Sequence, residues 1–248
     1  MNDFSPILPQ IFKQFPHLVA FQTTRSGGNS QGNYASMNLG KNTADDPAIV
    51  QSNYAILKQK TGIDAIAISH QIHGEAILIA ENPGKYEGYD AIITQKKGLL
   101  IGVTIADCCP ILIYDAKNEA IAAVHAGWKG TIYQLVLKTL KTMQATYHTH
   151  PSDCFVFVGA CISERNFEVG DEVAAHFSTD FKTFDPARGK YLVDLKKANA
   201  AQCLAFGIPA HQIEISPLCT YETDTLLFSH RKSGGITGRM LGGIGMVS

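Results

Sequence analysis

The sequence predicts an α/β fold of the α+β kind, one domain over residues 1–248 in which mixed β-sheets are layered with helices. Three observations predict it. Short apolar, β-branched runs outnumber stretches of helical spacing, so strands dominate. Only some of those strands alternate with helices, which argues against a regular doubly wound parallel sheet. No internal repeat, low-complexity tract or linker divides the chain, and the glycine-rich stretches at 26–28 and 234–245 lie near its ends and read as loops.

The first fifteen or so residues carry no clear period, and residues 18–21 (LVAF) then read as a strand that stops at Thr23-Thr24-Arg25. Asp46 followed by Pro47 is a helix N-cap and first-turn pair. Ile49, Asn53, Ile56 and Leu57 keep helical spacing after it, and Gly62 supplies the stop. Residues 65–69 and 76–79 read as short strands around His70-Gln71-Ile72-His73-Gly74, and 91–94, 99–105, 111–114 and 120–124 as four more. After Trp128 the period changes, and Ile132, Leu135, Val136, Leu140 and Met143 share one face of a helix. Residues 155–158 form a strand, Asp194 caps a helix bearing Leu195, Ala198, Ala201 and Ala205, and 213–215 form the last expected strand.

A chain of 248 residues buries about three quarters of its unfolded surface, so its core needs no staples. Hydrophobic residues at 45% and charged residues at 17% place it among ordinary globular proteins. A net charge of -1 offers no footprint for a nucleic acid, and no basic run points to a membrane surface. The N-terminus lacks the basic and apolar regions of a secretory signal, and no apolar run approaches the ~18 residues of a membrane span. A cytoplasmic setting and a small-molecule substrate are therefore expected. The cysteines at 108, 109, 154, 161, 203 and 219 read as free thiols, with one ligand or nucleophile among them.

Three segments carry chemical residues: Gln71-Ile72-His73-Gly74, Ala106-Asp107-Cys108-Cys109-Pro110, and Val124-His125-Ala126-Gly127-Trp128-Lys129-Gly130. Each follows a predicted strand and contains a glycine or proline, and strand ends present side chains into crevices. Two imidazoles and a thiolate, from His73, Cys108 and His125, suit zinc. Three protein ligands leave a fourth position open, the arrangement of a catalytic site. Spacings of 35 and 17 residues are unlike compact zinc motifs. Taken alone, each residue also fits a buried strand end satisfied by ordinary hydrogen bonds.

Together with other segments, these resemble the YfiH-like family, known as multicopper polyphenol oxidase or laccase-domain proteins, as purine nucleoside phosphorylases and as peptidoglycan editing factors. The resemblance covers nearly the whole chain. It takes in Thr23-Thr24-Arg25-Ser26-Gly27-Gly28, Ser36-Met37-Asn38-Leu39-Gly40, Gly88-Tyr89-Asp90-Ala91, Gly159-Ala160-Cys161-Ile162, Phe167-Glu168-Val169-Gly170, Ser229-His230-Arg231-Lys232 and Thr237-Gly238-Arg239. It implies that His73, Cys108 and His125 bind the metal. Cys109, beside the ligand position, departs from the family's usual aliphatic residue, which leaves the choice of thiol open, and the C-terminus lacks a common tryptophan.

The resemblance implies a zinc enzyme that phosphorolyses adenosine, inosine, guanosine and S-methyl-5'-thioadenosine and also deaminates adenosine. Its partners are then a purine nucleoside and phosphate, with no nucleic acid or membrane, in a monomer or homodimer. An amidase-like hydrolase editing a cell-wall precursor is the alternative. Nine histidines are too few for a multicopper oxidase, although copper bound at the triad in vitro would give weak phenol oxidation. A structural metal would need a fourth ligand, for which Cys109 and Cys161 are candidates.

Asp107, next to the ligand Cys108, is a candidate general base or a group that orients the site. Arg25 and Arg239 lie in family segments, and their guanidinium forks match phosphate oxygens. Arg25 is thus a candidate for catalysis and binding, and Arg239 for binding, with Arg231 on the same wall. Asn38 is a candidate for the sugar or base, and Cys161 for the substrate pocket, or else a buried structural thiol. Trp128 either stacks on a purine or belongs to the core. His148 and His150 are expected in solvent.

Overall fold

The apolar runs become two stacked sheets in the computed structural model, which describes residues 3–247. The first has the spatial order β1 (Leu18–Gln22), β14 (Met240–Met246), β6 (Leu99–Ile105), β2 (Ala65–His70), β4 (Gly84–Glu87). The second runs β13 (Ile213–Ile215), β9 (Cys154–Val158), β7 (Cys109–Asp115), β8 (Ala120–Ala126), β5 (Ala91–Thr94), β3 (Ile77–Ile79). Both are mixed: β6, β2 and β4 run parallel, whereas β5, β8, β7 and β9 alternate in direction. A small antiparallel sheet of β10 (Glu168–Val169), β12 (Lys190–Val193) and β11 (Lys182–Asp185) lies apart from them.

Helices close the outer faces. Val50, Tyr54 and Leu57 of α1 (Pro47–Thr61) pack on Ile68, Leu100 and Leu241 of the first sheet. Between the sheets, Ile101, Val103 and Ile244 meet Leu112, Tyr114, Ile121 and Phe157. The far face of the second sheet presents Ile111, Ile113, Val124 and Val156 to α3 (Leu135–Tyr147) and α5 (Leu195–Phe206). Each fully buried leucine or isoleucine in these layers stabilises the fold by roughly 1.5–3 kcal/mol. The order is helix, sheet, sheet, helix. Every residue of β7 and β8 is buried, so these strands read as continuous apolar runs rather than alternating ones.

The predicted caps of α1 are present: Asp46 accepts from the Ala48 N–H at 2.8 Å, and Gly62 ends the helix at φ 71°. Two expectations are corrected. The helix after Trp128 is broken into α2 (Trp128–Ile132) and α3 because Gln134 takes a left-handed φ of 57° and turns the chain. The stretch 234–245, expected as a loop, supplies most of β14, a strand internal to the first sheet. Its glycines serve close approach, since a Cβ at Gly243 would lie 2.7 Å from the Phe21 ring. The short polar β4 and the small sheet, with α4 (Asp171–Ala174) beside it, were not expected. All six cysteines are free thiols. No helix among the described residues is long and apolar enough to cross a membrane.

Candidate metal centre

The chain passes from the first sheet to the second after β2, after β4 and after β6. Those three strands are parallel, so all three crossings leave from the same end of the sandwich. They carry His73, Asp90 and Cys108 respectively. His125, near the end of β8, sits opposite Pro110 at the start of β7 and so reaches the same end. Residues far apart in the chain thereby converge: one ligand atom from each of His73, Cys108 and His125 lies within 4.8 Å of the others. The Cys108 Sγ is 3.8 Å from His73 Nε2, and the two imidazoles meet edge to face at 4.9 Å.

Asp90 organises this convergence. Its carboxylate is fully buried, and a buried charge must be paired. Oδ1 accepts from His125 Nδ1 at 2.8 Å and from the His73 N–H at 3.0 Å, while Oδ2 accepts from the N–H groups of Gly74 at 2.7 Å and Ile72 at 3.2 Å. The 72–74 turn, with His73 at φ 59°, thus wraps its amides around one anion. With Nδ1 turned to Asp90, His125 keeps Nε2 for the centre. Gln71 ties the same turn to β6 through three hydrogen bonds with Thr104. Gly127 forms the floor, where a Cβ would come within 2.8 Å of the Cys108 sulfur.

The two adjacent thiols part where the crossing enters β7, and Cys108 is the one that lines the cleft. Cys109 is fully buried in the core on the other side, with its sulfur 3.9 Å from the Gly159 carbonyl. Burial pushes the Cys108 thiol up, but the His125 and His73 imidazoles outweigh it and bring it down to about 6. Burial likewise opposes a charge on His125, yet Cys108 and Asp90 raise it to about 9. For Asp90 burial works upward, and the His125 ring with the Gly74 and Ile72 amides takes it below the usual carboxylate range. A thiolate with two imidazoles is a donor set that can hold a metal ion. It is the single such group of His, Cys, Asp and Glu among the described residues, too little for a multicopper centre.

A cleft of about 330 Å³ opens over the triad, a volume within the roughly 300–1,000 Å³ of small-molecule sites. Asp107, at φ 87°, is the one carboxylate on its wall among the described residues. Its Oδ1 accepts from Thr220 Oγ1 at 2.6 Å and its Oδ2 from the Arg231 N–H at 2.7 Å. Arg239 and Arg231 also line the cleft. Arg239 is braced by donating to the Thr237 and Gly238 carbonyls, and Arg231 lies 5.7 Å from the Phe167 ring.

Three expected site residues lie elsewhere. Arg25 is not on the cleft wall: it donates to the carbonyls of Ala35 and Asp224 and stacks on Phe228 at 4.8 Å, joining two loops. Asn38 is fully buried, and its Oδ1 takes the Gly40 and Arg239 N–H groups, so it positions the Arg239 backbone and not the substrate. Cys161 is fully buried in the core, off the cleft wall and outside the triad's donor group, and burial pushes its thiol well above the usual value. Trp128 packs against the core, and His148 and His150 are exposed. Asp90 was missed as a site residue, although an acid entering the apolar run at 91–94 is a signal that it must be paired.

A family model described as multi-copper polyphenol oxidoreductase laccase matches residues 19–247. A purine nucleoside phosphorylase of Bacteroides thetaiotaomicron is 38% identical, over 93% of this chain and 92% of its own. Adenosine deaminase RL5, from an unknown prokaryotic organism, is 33% identical over 94% and 95%. The crystal structure of YlmD from Geobacillus stearothermophilus matches with a TM-score of 0.90 at 31% identity, covering 95% of this chain and 94% of that one. That of the Bacillus licheniformis hypothetical protein YfiH gives 0.90 at 26% identity, covering 99% and 100%. Matched along almost its full length in sequence and in fold, the chain belongs to the YfiH-like family of laccase-domain proteins.

Proposed function

We propose that the protein is a zinc-dependent purine nucleoside phosphorylase acting on adenosine, inosine, guanosine and S-methyl-5'-thioadenosine, with adenosine deaminase activity at the same site. The observation that carries this reading is a small-molecule cleft with a three-donor N,N,S centre at its floor and arginines on its wall. The relatives named purine nucleoside phosphorylase, and the one named adenosine deaminase, support it.

The donor set of His73, Cys108 and His125 suits a borderline-soft cation with one open position. When bound, zinc supplies a Lewis acid able to polarise a substrate oxygen or to activate water near neutral pH. Arg239 and Arg231 present fixed positive charge for the oxygens of phosphate. Asp107 keeps lone pairs beyond those taken by Thr220 and Arg231, so it can accept a hydroxyl hydrogen or carry a proton to the departing base. Phe167 offers the base an apolar face.

Metal analysis of the purified protein, coupled to base and ammonia release from adenosine and inosine, tests the reading. Stoichiometric zinc and phosphate-dependent base release are expected, and Cys108→Ala should lose both. Base release that ignores phosphate, or activity that survives Cys108→Ala, would overturn it. Amino acid released from a cell-wall precursor instead would assign the cleft to amide hydrolysis.

A further inference from the structure

The cleft has two ends, and the triad occupies one of them. The other lies over the outer face of the first sheet, where Lys41, Lys85 and Tyr54 line it. Strand register sets Lys85 of β4 beside Ile68 of β2, whose side chain packs toward α1. A second cavity of about 280 Å³ adjoins this end and shares Gly40, Lys41, Thr43 and Lys85 with the first. Two lysines from separate elements therefore stand where two cavities meet.

The protein compensates the two charges unequally: Lys85 has an ion pair and Lys41 has none among the described residues. Lys41 lies 4.7 Å from the centre of the Tyr54 ring. Partial desolvation of its amine, then the neighbouring charges of Lys85 and Lys58, lower its pKa. Lys85 has the exposed Glu87 at 3.2 Å and the Asn42 side-chain oxygen at 3.4 Å. Asp45 also lines the second cavity, where its oxygens accept from Ser30, Asn38 and the Asp46 backbone, and it makes no ion pair with either lysine among the described residues. Asp107, the cleft's own carboxylate, belongs to the triad end. Like charges gathered on a concave wall raise the local concentration of anions, and an oxyanion between them relieves their repulsion.

We propose that the Lys41–Lys85 end of the cleft is an oxyanion subsite that takes a phosphate group, either free or carried on the far end of a nucleoside. A nucleoside 5'-phosphate is the ligand class that would span both ends, and inorganic phosphate would bind at the lysine end as well as beside the arginines. The nucleoside part rests on the function proposed above; the anion part does not.

Titration calorimetry of the protein as purified tests this without turnover, using inorganic phosphate, adenosine 5'-monophosphate and uncharged adenosine in turn. The comparison is between wild type and a Lys41→Gln, Lys85→Gln double variant. Both lysines are exposed, so the variant should keep the wild-type melting temperature. Tighter binding of the monophosphate than of adenosine, with about tenfold of that affinity lost in the variant, assigns the subsite to a nucleotide. Loss confined to inorganic phosphate assigns it to the free anion. Equal binding of both anions by wild type and variant overturns the proposal. If adenosine fails to bind but lysine-dependent phosphate binding persists, the nucleoside reading fails and the subsite stands.

Discussion

A carboxylate with no exposed surface needs donors on both oxygens, and Asp90 finds one imidazole and three backbone amides for them. Two of the three triad residues are aimed by this one side chain. Asp90→Asn keeps the shape but puts an amide nitrogen where an acceptor is required. Its affinity for zinc should fall by about 10–100-fold, as read by competition with a chromophoric chelator, with the far-ultraviolet circular dichroism unchanged. Unaltered affinity would remove Asp90 from the centre. The thiols make a second check at this scale. Cys108 is half-buried at the cleft floor, whereas the other five are buried. Iodoacetamide should label Cys108 in metal-free protein, zinc should protect it, and mass spectrometry should find the other thiols untouched until the chain unfolds. Labelling of Cys161 in the native protein would contradict its place in the core.

Elements show where local signals suffice and where they mislead. The caps of α1 act within a few residues, so that helix was legible from Asp46 to Gly62. The glycines of β14 suggested a loop because their purpose is a contact made far along the chain, in which Gly243 pairs with Phe21 of β1 and lies under its ring. Gly243→Ala should cost about 1–3 kcal/mol in urea denaturation, the range for overpacking a filled interior. A variant as stable as wild type would show that Phe21 can move aside. Gln134 misled in the opposite sense: nothing in its neighbours' spacing announces the left-handed turn that separates α2 from α3.

At the scale of the whole molecule, the proposed metal centre exists because two sheets are joined by crossings that leave from one end. An ion held there would tie the 71–76 and 106–108 crossings to β8, and a ligand that binds only the folded chain stabilises it. At a hundredfold excess over its dissociation constant, zinc should contribute about 2.7 kcal/mol. In a chain of this length that raises the melting temperature by roughly 5–10 °C. The rise should disappear in Cys108→Ala and be reversed by a chelator, as followed by calorimetric scanning. An equal rise in the variant would place the stabilising ion elsewhere.

The amino-acid order by itself determined the layered α/β class, the positions of most strands, the capped helix α1, and a candidate donor set of His73, Cys108 and His125. These depend on propensity, capping and residue chemistry, which are local. Tertiary structure decided which of two adjacent thiols faces the cleft, by burying Cys109 in the core at the start of β7, and it brought the donors together through crossings between sheets. It also turned Arg25, Asn38 and Cys161 into scaffold and Asp90 into an organiser. The partners that hold those side chains lie far away along the sequence, and a hydrogen bond or a burial made at that distance leaves no trace in the order of neighbouring residues.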